Sequence, residues 1–122
     1  MRLTLAFAAA LSLTAAAAHA QPAGEYALDL SRMITETAGG TCPADLMGAQ
    51  LLSACQAQIA GMQAGLSSLG AVESVTFVQA DDMPQGKVET YRVRFAGGQE
   101  MNWSIGMKGT DGKYETAFTR GD

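Results

Sequence analysis

The sequence predicts an α+β domain in which N-terminal helices pack on one face of a four-stranded antiparallel meander sheet. Two features of the chain support this prediction. Up to Leu69, apolar residues recur every three or four positions, which is the period of one helix face. After Gly70 they recur every second position, in short runs separated by glycine-rich turns, as in consecutive antiparallel strands. A sheet with one apolar and one polar face needs a covering layer, which the helices supply.

The first predicted helix lies within residues 24–37 and stops at Gly39-Gly40. Its apolar positions follow the spacing of one helix face and are Tyr26, Leu30, Met33 and Ile34. The second helix is predicted from about Ala49 to Leu69 and is followed by Gly70. Its apolar seam starts just before the helix and comprises Met47, Leu51, Cys55, Ile59, Met62, Leu66 and Leu69.

Four strands are predicted after the second helix. Residues 72–78 are rich in β-branched and aromatic side chains, whereas residues 79–87 contain Asp81-Asp82, Pro84 and Gly86 and are predicted to form a loop. The three later runs alternate strictly, and their apolar faces are Tyr91, Val93 and Phe95, then Met101, Trp103, Ile105 and Met107, then Tyr114, Thr116 and Phe118. The opposite, outward face carries Arg92, Arg94, Asn102, Ser104, Lys113 and Glu115.

The loop lengths predict how these strands pair. A three-residue loop at 97–99 keeps the apolar faces in phase and places Val93 opposite Trp103. A four-residue loop at 109–112 places Trp103 opposite Phe118. All three strands then present one continuous apolar face.

Four aromatic side chains share this predicted face: Tyr91, Trp103, Tyr114 and Phe118. They either fill a closed core or line a pocket between the sheet and the helices. A domain of this size needs most of its apolar groups for its core, so core packing is the first interpretation. A ligand pocket is the alternative.

Residues 1–20 have the three parts of a cleavable secretory signal peptide. Arg2 supplies the positive charge, residues 3–13 the apolar stretch, and Ala18-His19-Ala20 the cleavage site. The apolar stretch is shorter than the roughly 20 residues that a bilayer span needs, and no Cys follows to carry a lipid anchor. We therefore expect cleavage after Ala20, a periplasmic or secreted location in a bacterium, and a single mature domain of residues 21–122.

The composition of the mature chain excludes several classes of chemistry. The only histidine, His19, lies in the predicted signal peptide, which excludes Ser-His-Asp and Cys-His catalysis and His-ligated metal sites. Seven basic residues face twelve acidic ones, a net charge of −5, and the basic residues are scattered. We expect neither a nucleic-acid interface nor a membrane anchor. A carboxylate- or lysine-based mechanism stays open.

No cofactor and no metal are expected. Asp81-Asp82 with Glu73 or Glu89 could offer oxygen ligands, but the segment has no calcium-loop motif and suits a turn. Methionine thioethers could bind copper(I), yet five of the six mature methionines fall on predicted core faces, where methionine is an adaptable filler.

Cys42 and Cys55 are predicted to form a disulfide, because an exported domain meets an oxidising compartment. A continuous helix from Pro43 would hold the two residues ~20 Å apart, whereas a disulfide needs Cα atoms within ~7 Å. The prediction therefore requires a short turn at 44–47 and a break near Gly48. Free buried thiols or a bridge between two chains are the alternatives.

Four segments carry a resemblance to a known superfamily. A helix ending in Leu69-Gly70 is followed by Ser-Val-Thr-Phe at 74–77, Tyr-x-Val-x-Phe at 91–95 and Trp-x-Ile at 103–105. Residues 53–119 thereby resemble the C-terminal half of the nuclear transport factor 2-like (cystatin-like) superfamily, above all its small exported bacterial members. The resemblance implies a cone-like α+β fold, and enzyme members place Asp, His or Tyr groups inside the cone. Here no acidic residue falls on the predicted apolar strand face, which departs from that pattern.

The sequence therefore predicts an exported, non-catalytic binding or interaction module, whose partner is either a protein or a small apolar ligand. The outward face with Arg92 and Arg94 is one candidate surface. The exposed edge of the sheet is another, and pairing through it would give a homodimer. The competing hypothesis is a small-molecule carrier, or a small lyase or isomerase, that uses the interior with Tyr91, Asp29 or Glu36 reaching in.

Overall fold

The computed structural model describes residues 24–120, so the predicted signal peptide, residues 1–20, lies outside the described residues. The helices are α1 (Ala27–Ala38) and α2 (Ala49–Leu69), and the strands are β1 (Val72–Met83), β2 (Gly86–Phe95), β3 (Glu100–Lys108) and β4 (Tyr114–Arg120). The strands form one antiparallel sheet in the order β1-β2-β3-β4. The predicted α+β class and the antiparallel meander are confirmed. Within residues 24–120, no helix is long and apolar enough to cross a membrane.

Helix α1 turns its predicted apolar face to the core. Leu30, Met33 and Ile34 are buried, as is Tyr26 immediately before the helix. The helix ends at Gly39-Gly40, where the second glycine has a φ of +98°, a left-handed conformation that glycine adopts at no steric cost. The chain therefore reverses direction at the place that the two glycines predict.

The segment between the helices makes the predicted short turn and breaks at Gly48. The N–H of Gly48 donates to the carbonyl of Tyr114, and the N–H of Tyr114 donates to the carbonyl of Leu46, each at 2.8 Å. These bonds tie the segment to the first residue of β4. The Cα atoms of Cys42 and Cys55 lie 6.1 Å apart and the disulfide is formed, so this prediction is confirmed.

Helix α2 begins at Ala49 and places its whole predicted seam against the core. Of the seven seam residues, only Met47, Cys55 and Leu66 are fully buried, and the other four are partly exposed. A fully buried core residue is enclosed on every side, so partial exposure along the seam means an incomplete cover. Helix α2 therefore leaves space between itself and the rest of the domain.

The predicted loop at 79–87 is wrong, because most of it is strand. Strands β1 and β2 pair as far as Met83 and Gly86, which leaves Pro84 and Gln85 as the turn. The polar pair Asp81-Asp82 is compatible with this hairpin because its side chains are half-buried or exposed. Polar composition alone indicated a loop, whereas an antiparallel strand accepts polar residues wherever its side chains stay in contact with water.

The β2–β3 register differs from the prediction by two residues, and Val93 lies opposite Met101 instead of Trp103. The last pair between β2 and β3 is Arg94 with Glu100, so the connection between them comprises residues 95–99 and not only 97–99, although Phe95 still pairs with Val72 of β1. Two N–H groups of this loop donate to carbonyls at and just beyond the end of α2, at 3.0 and 2.8 Å. A shift of two residues keeps each side chain on its own face of the sheet, so the apolar face is preserved.

The β3–β4 register differs from the prediction by one residue, which does change the faces. Trp103 lies opposite Thr119, and Phe118 lies opposite Ser104. The loop spans five residues, 109–113, and a hydrogen bond of 2.8 Å between its first and last residues closes it. Phe118 therefore does not share the face of Trp103, and it is 44% exposed.

The core is formed by residues of both helices, of the segment between them and of strands β2, β3 and β4. Its fully buried members are Tyr26, Leu30, Met33, Ile34, Leu46, Met47, Cys55, Leu66, Tyr91, Val93, Phe95, Ile105 and Tyr114. On the outward face, Arg94 is exposed as predicted and pairs with Glu73 and Glu100 at 3.1 and 3.2 Å. The predicted exposure of Ser104 is wrong, since it is buried and its hydroxyl bonds that of Thr90 at 3.0 Å.

Candidate functional site

A cavity of about 330 Å³ opens where α2 covers the core incompletely. Residues of α1, of the disulfide-closed segment, of α2 and of β3 and β4 surround it: Met33, Ile34, Thr37, Met47, Leu51, Ala54, Cys55, Gln58, Met62, Leu66, Trp103, Ala117, Phe118 and Thr119. Its volume lies at the lower end of the range for small-molecule sites, which is roughly 300 to 1,000 Å³. The cavity is therefore large enough for a small organic ligand.

The disulfide holds one wall of this cavity in place. Met47, Leu51, Ala54 and Cys55 all lie within the segment that the Cys42–Cys55 bond closes, and all four line the cavity. The bond joins the residue just before the turn at 43–46 to the second turn of α2. The position of this wall consequently depends on the covalent link as well as on packing.

The lining is mainly apolar and contains no charged side chain among the described residues. Its polar groups are the side chains of Thr37, Gln58 and Thr119 and the indole of Trp103. Three of the apolar lining residues are methionines, whose flexible thioether side chains adapt to ligands of different shape. Such a surface suits a neutral, mainly apolar molecule.

Trp103 has an unusual environment for a tryptophan. Its Nε1 is buried and has no hydrogen-bond partner within residues 24–120. A buried indole N–H normally finds an acceptor, because burying a donor without one costs about 1 to 3 kcal/mol. The side chain of the only tryptophan therefore lines the cavity, and its unsatisfied donor is buried behind the cavity surface.

The four aromatic residues predicted as pocket lining occupy two different environments. Trp103 and Phe118 line the cavity. Tyr91 and Tyr114 are completely buried in the core, and each hydroxyl donates to a carboxylate, of Glu89 and of Asp29 respectively.

A cluster of polar groups lies beside the core, and the sequence analysis did not identify its central residue, Glu89. Glu89 is 2% exposed and extends the inward alternation of β2 by one position before Tyr91. The expectation that no acidic residue falls on the apolar strand face is therefore wrong. The sequence pattern does indicate this, because side chains two positions apart share a face of a strand, and Glu89 lies two positions before Tyr91 in the series Tyr91, Val93 and Phe95.

Glu89 caps helix α1 from the sheet. Its Oε1 accepts the N–H groups of Glu25 and Tyr26, each at 3.0 Å, and the hydroxyl of Tyr91. Tyr26 is the N-cap residue of α1, and its own side chain makes no capping bond. The carboxylate thus satisfies free N–H groups at the start of the helix, where the helix dipole also favours negative charge.

The hydrogen bonds around Glu89 outweigh the cost of burying it. Burial acts to raise the pKa of this carboxyl, but the bonds from Tyr91 and from the amides of Glu25 and Tyr26, together with Lys87 at 3.3 Å, hold the pKa below its ordinary value. Gly24, with a φ of +82°, lets the backbone pass this cluster, because a Cβ there would lie 2.2 Å from the Tyr91 hydroxyl. Glu89 is ionised and fully engaged at neutral pH.

The acidic groups of the competing enzyme hypothesis are engaged elsewhere. Asp29 accepts the hydroxyl of Tyr114 at 2.6 Å, and Glu36 pairs with Arg32 on the exposed side of α1. Neither residue, and no member of the Glu89 cluster, belongs to the cavity lining. Within residues 24–120, no group of three or more His, Cys, Asp or Glu side chains could hold a metal ion.

Alkaline titration tests the burial of the phenols. The pKa of each of the three tyrosines is raised, by burial first, and for Tyr91 and Tyr114 also by the hydrogen bonds to Glu89 and Asp29. The neutral phenols favour the folded state, so their stability contribution is complete below the ordinary pKa of about 10 and is lost as the pH rises further. We expect ultraviolet difference spectroscopy to detect phenolate only together with loss of the circular dichroism signal. Reversible titration near pH 10 in a folded protein would contradict this prediction.

Comparisons of the chain with family models, with curated proteins and with solved structures find no significant match.

Proposed function

We propose that this chain is an exported, non-catalytic binding module that takes a small apolar ligand in the cavity between the helices and the sheet. One observation carries the proposal: a cavity of about 330 Å³ whose described lining is apolar and uncharged. Closed cores are packed to about 0.75 density with few voids larger than a water molecule. An apolar concave surface of this size that stays open to water is unfavourable in a small domain and is explained by an occupant.

The fold that we propose for this module is cone-like, with both helices on the apolar face of the sheet, as the superfamily resemblance implies. Contacts between α1 and β1 and between α2 and β4 support this arrangement, as does a core shared by both helices and by β2 and β3. Membership of the nuclear transport factor 2-like superfamily is part of the same proposal. Since that fold serves many functions, the cavity and not the fold carries the functional argument.

Export is supported by the disulfide and by the N-terminal pattern. A disulfide between Cys42 and Cys55 is typical of an oxidising compartment such as the bacterial periplasm. We propose that cleavage after Ala20 releases residues 21–122 there. The ligand would then be met outside the cytoplasm, and native mass spectrometry of protein recovered from the periplasm would report cleavage, cysteine state, oligomeric state and any bound molecule in one spectrum.

The binding test uses Trp103 as its reporter and a matched pair of variants. N-phenylnaphthylamine, a neutral apolar dye, is expected to bind with a change in its own fluorescence and in that of the single tryptophan. Ala54→Phe fills the cavity from α2 and should weaken binding by about tenfold or more, because overpacking costs roughly 1 to 3 kcal/mol.

Ala57→Phe is the control, since Ala57, like Ala54, is exposed on the same helix but does not line the cavity. We expect it to leave the dye affinity within about twofold of that of the wild type, well under the tenfold that 1.4 kcal/mol produces. Absence of dye binding, together with a ligand-free native spectrum, would reject the proposal. Equal affinities for the two Phe variants would show that the dye binds somewhere else.

A further inference from the structure

Resting on the proposed function, we infer that the natural ligand is a neutral, mainly apolar molecule about the size of two fused rings that carries one hydrogen-bond acceptor, which pairs with Nε1 of Trp103. The volume, the charge and the unsatisfied donor of the cavity each determine one part of this description.

The volume sets the size of the ligand. An apolar cavity of about 150 Å³ in another protein accommodates one benzene ring. The cavity here is about 330 Å³, roughly twice that volume. A molecule with two fused rings, or a flexible molecule of equal bulk, fills it without displacing the helices.

The charge of the lining sets the charge of the ligand. No described residue of the lining is charged, and an ionised group placed in an apolar site without a partner is very costly. The guanidinium of Arg120 lies 5.9 Å from the ring centre of Phe118, a lining residue. Phe118 is 44% exposed and marks the outside of the cavity, so this charge does not serve a group bound within it.

The unsatisfied donor sets the polar group of the ligand. Nε1 of Trp103 is buried and has no partner within residues 24–120, although its side chain lines the cavity. Because Nε1 is buried, lining side chains must shift before a ligand atom can reach it, and three of the lining residues are methionines with flexible side chains. A carbonyl, ether or hydroxyl oxygen would satisfy the indole N–H, whereas a hydrocarbon would leave it unpaired.

Two probes of nearly equal shape isolate this hydrogen bond. Acetylnaphthalene has a carbonyl oxygen where ethylnaphthalene has two hydrogens. Because the two molecules have nearly the same shape, the ratio of their affinities mainly reports the effect of the carbonyl oxygen. Calorimetric titration of the wild type and of Trp103→Phe gives the ratio for each protein. We expect the preference for acetylnaphthalene to be about fivefold greater in the wild type than in the variant, the effect of one net hydrogen bond.

A second measurement needs no variant, which matters if Trp103→Phe folds poorly. The single tryptophan yields one indole N–H resonance in a proton–nitrogen spectrum. We expect acetylnaphthalene to move this resonance downfield, as a new hydrogen bond does, and ethylnaphthalene to leave it much closer to its ligand-free position. Naphthoate, which is negatively charged, should bind at least tenfold more weakly than acetylnaphthalene because its carboxylate would be desolvated without a partner.

The outcomes separate this inference from the proposed function. If neither naphthalene derivative binds and the dye does not bind, the proposed function fails together with the inference. If both derivatives bind with the same affinity ratio in the wild type and in Trp103→Phe, and the indole resonance responds equally to both, the binding module stands and the acceptor is rejected. Binding of naphthoate as tight as that of acetylnaphthalene would overturn the assignment of a neutral ligand.

Discussion

Replacing Glu89 by Gln is expected to lower the free energy of unfolding by about 3 kcal/mol, the cost of breaking a buried charge pair and its hydrogen bonds. The carboxylate is 2% exposed and receives two backbone N–H groups, the Tyr91 hydroxyl and Lys87. Glutamine keeps the shape but loses the charge, and its NH₂ group cannot accept from these donors. Urea denaturation at neutral pH measures the loss.

Glu100→Gln is the matched control for this substitution. Glu100 is an exposed carboxylate of the same sheet, and its pair with Arg94, at 3.2 Å, is also exposed. Exposed ion pairs contribute about 0 to 1 kcal/mol, so the control should lose less than about 1 kcal/mol. Equal losses in both variants would show that Glu89 does not anchor the start of α1.

The pH dependence of stability gives the Glu89 prediction a second readout. A carboxyl whose pKa is lowered in the folded state contributes stability above its unfolded pKa of about 4.3, and that contribution is lost as the pH falls through the folded pKa. The difference in unfolding free energy between the wild type and Glu89→Gln should therefore be complete at pH 6 and shrink as the solution is acidified below about pH 4. A difference that is independent of pH would mean that the charge of Glu89 does not contribute.

The second large effect is expected from the disulfide. Replacing both Cys42 and Cys55 by Ser should lower the free energy of unfolding by about 3 kcal/mol in the chain-entropy model, because the bond closes a loop with a sequence separation of 13. The same change frees the cavity wall that contains Met47, Leu51 and Ala54. We therefore expect weaker dye binding as well as lower stability, measured by fluorescence titration and urea denaturation.

Reduction provides the control for the disulfide prediction. A thiol reductant should weaken dye binding by the wild type and leave the double Ser variant unchanged, since that variant has no bond to break. Full dye affinity in the double Ser variant, at a protein concentration and temperature where it remains folded, would show that packing alone positions the wall. Unchanged stability would contradict the role of the bond in the fold.

The periodic parts of the fold were readable from the chain. The buried face of α1 and the seam of α2 follow the helical period, and apolar positions with that period can be buried only on one side of a helix. The break at Gly48 also followed from the sequence, because two cysteines 13 positions apart cannot meet across a continuous helix. In each case the geometry of the helix restricted the possible arrangements.

The strand registers were not readable in the same way. The loop at 95–99 is longer than its glycines suggest because its N–H groups find acceptors at the end of α2, a contact between distant parts of the chain. At 109–113 one further residue stays in the turn, and this single residue exchanges the faces of Phe118 and Thr119 relative to Trp103. The shift at 109–113 separated Phe118 from the face of Trp103, whereas the shift at 95–99 left Tyr91 and Trp103 opposite each other on one face.

By itself, the sequence determined the class of the fold, the apolar faces of the helices and the exclusion of histidine chemistry in residues 21–122, because composition and period are local properties of the chain. It also favoured the Cys42–Cys55 pairing, which the structure confirms. Only the tertiary structure decided that Glu89 caps α1 from 63 residues away and that α2 leaves a cavity beside Trp103. Both depend on which distant groups share one small volume. Hydrogen-bond acceptors, buried charges and unfilled space are settled by the packed molecule, and periodicity alone does not specify them.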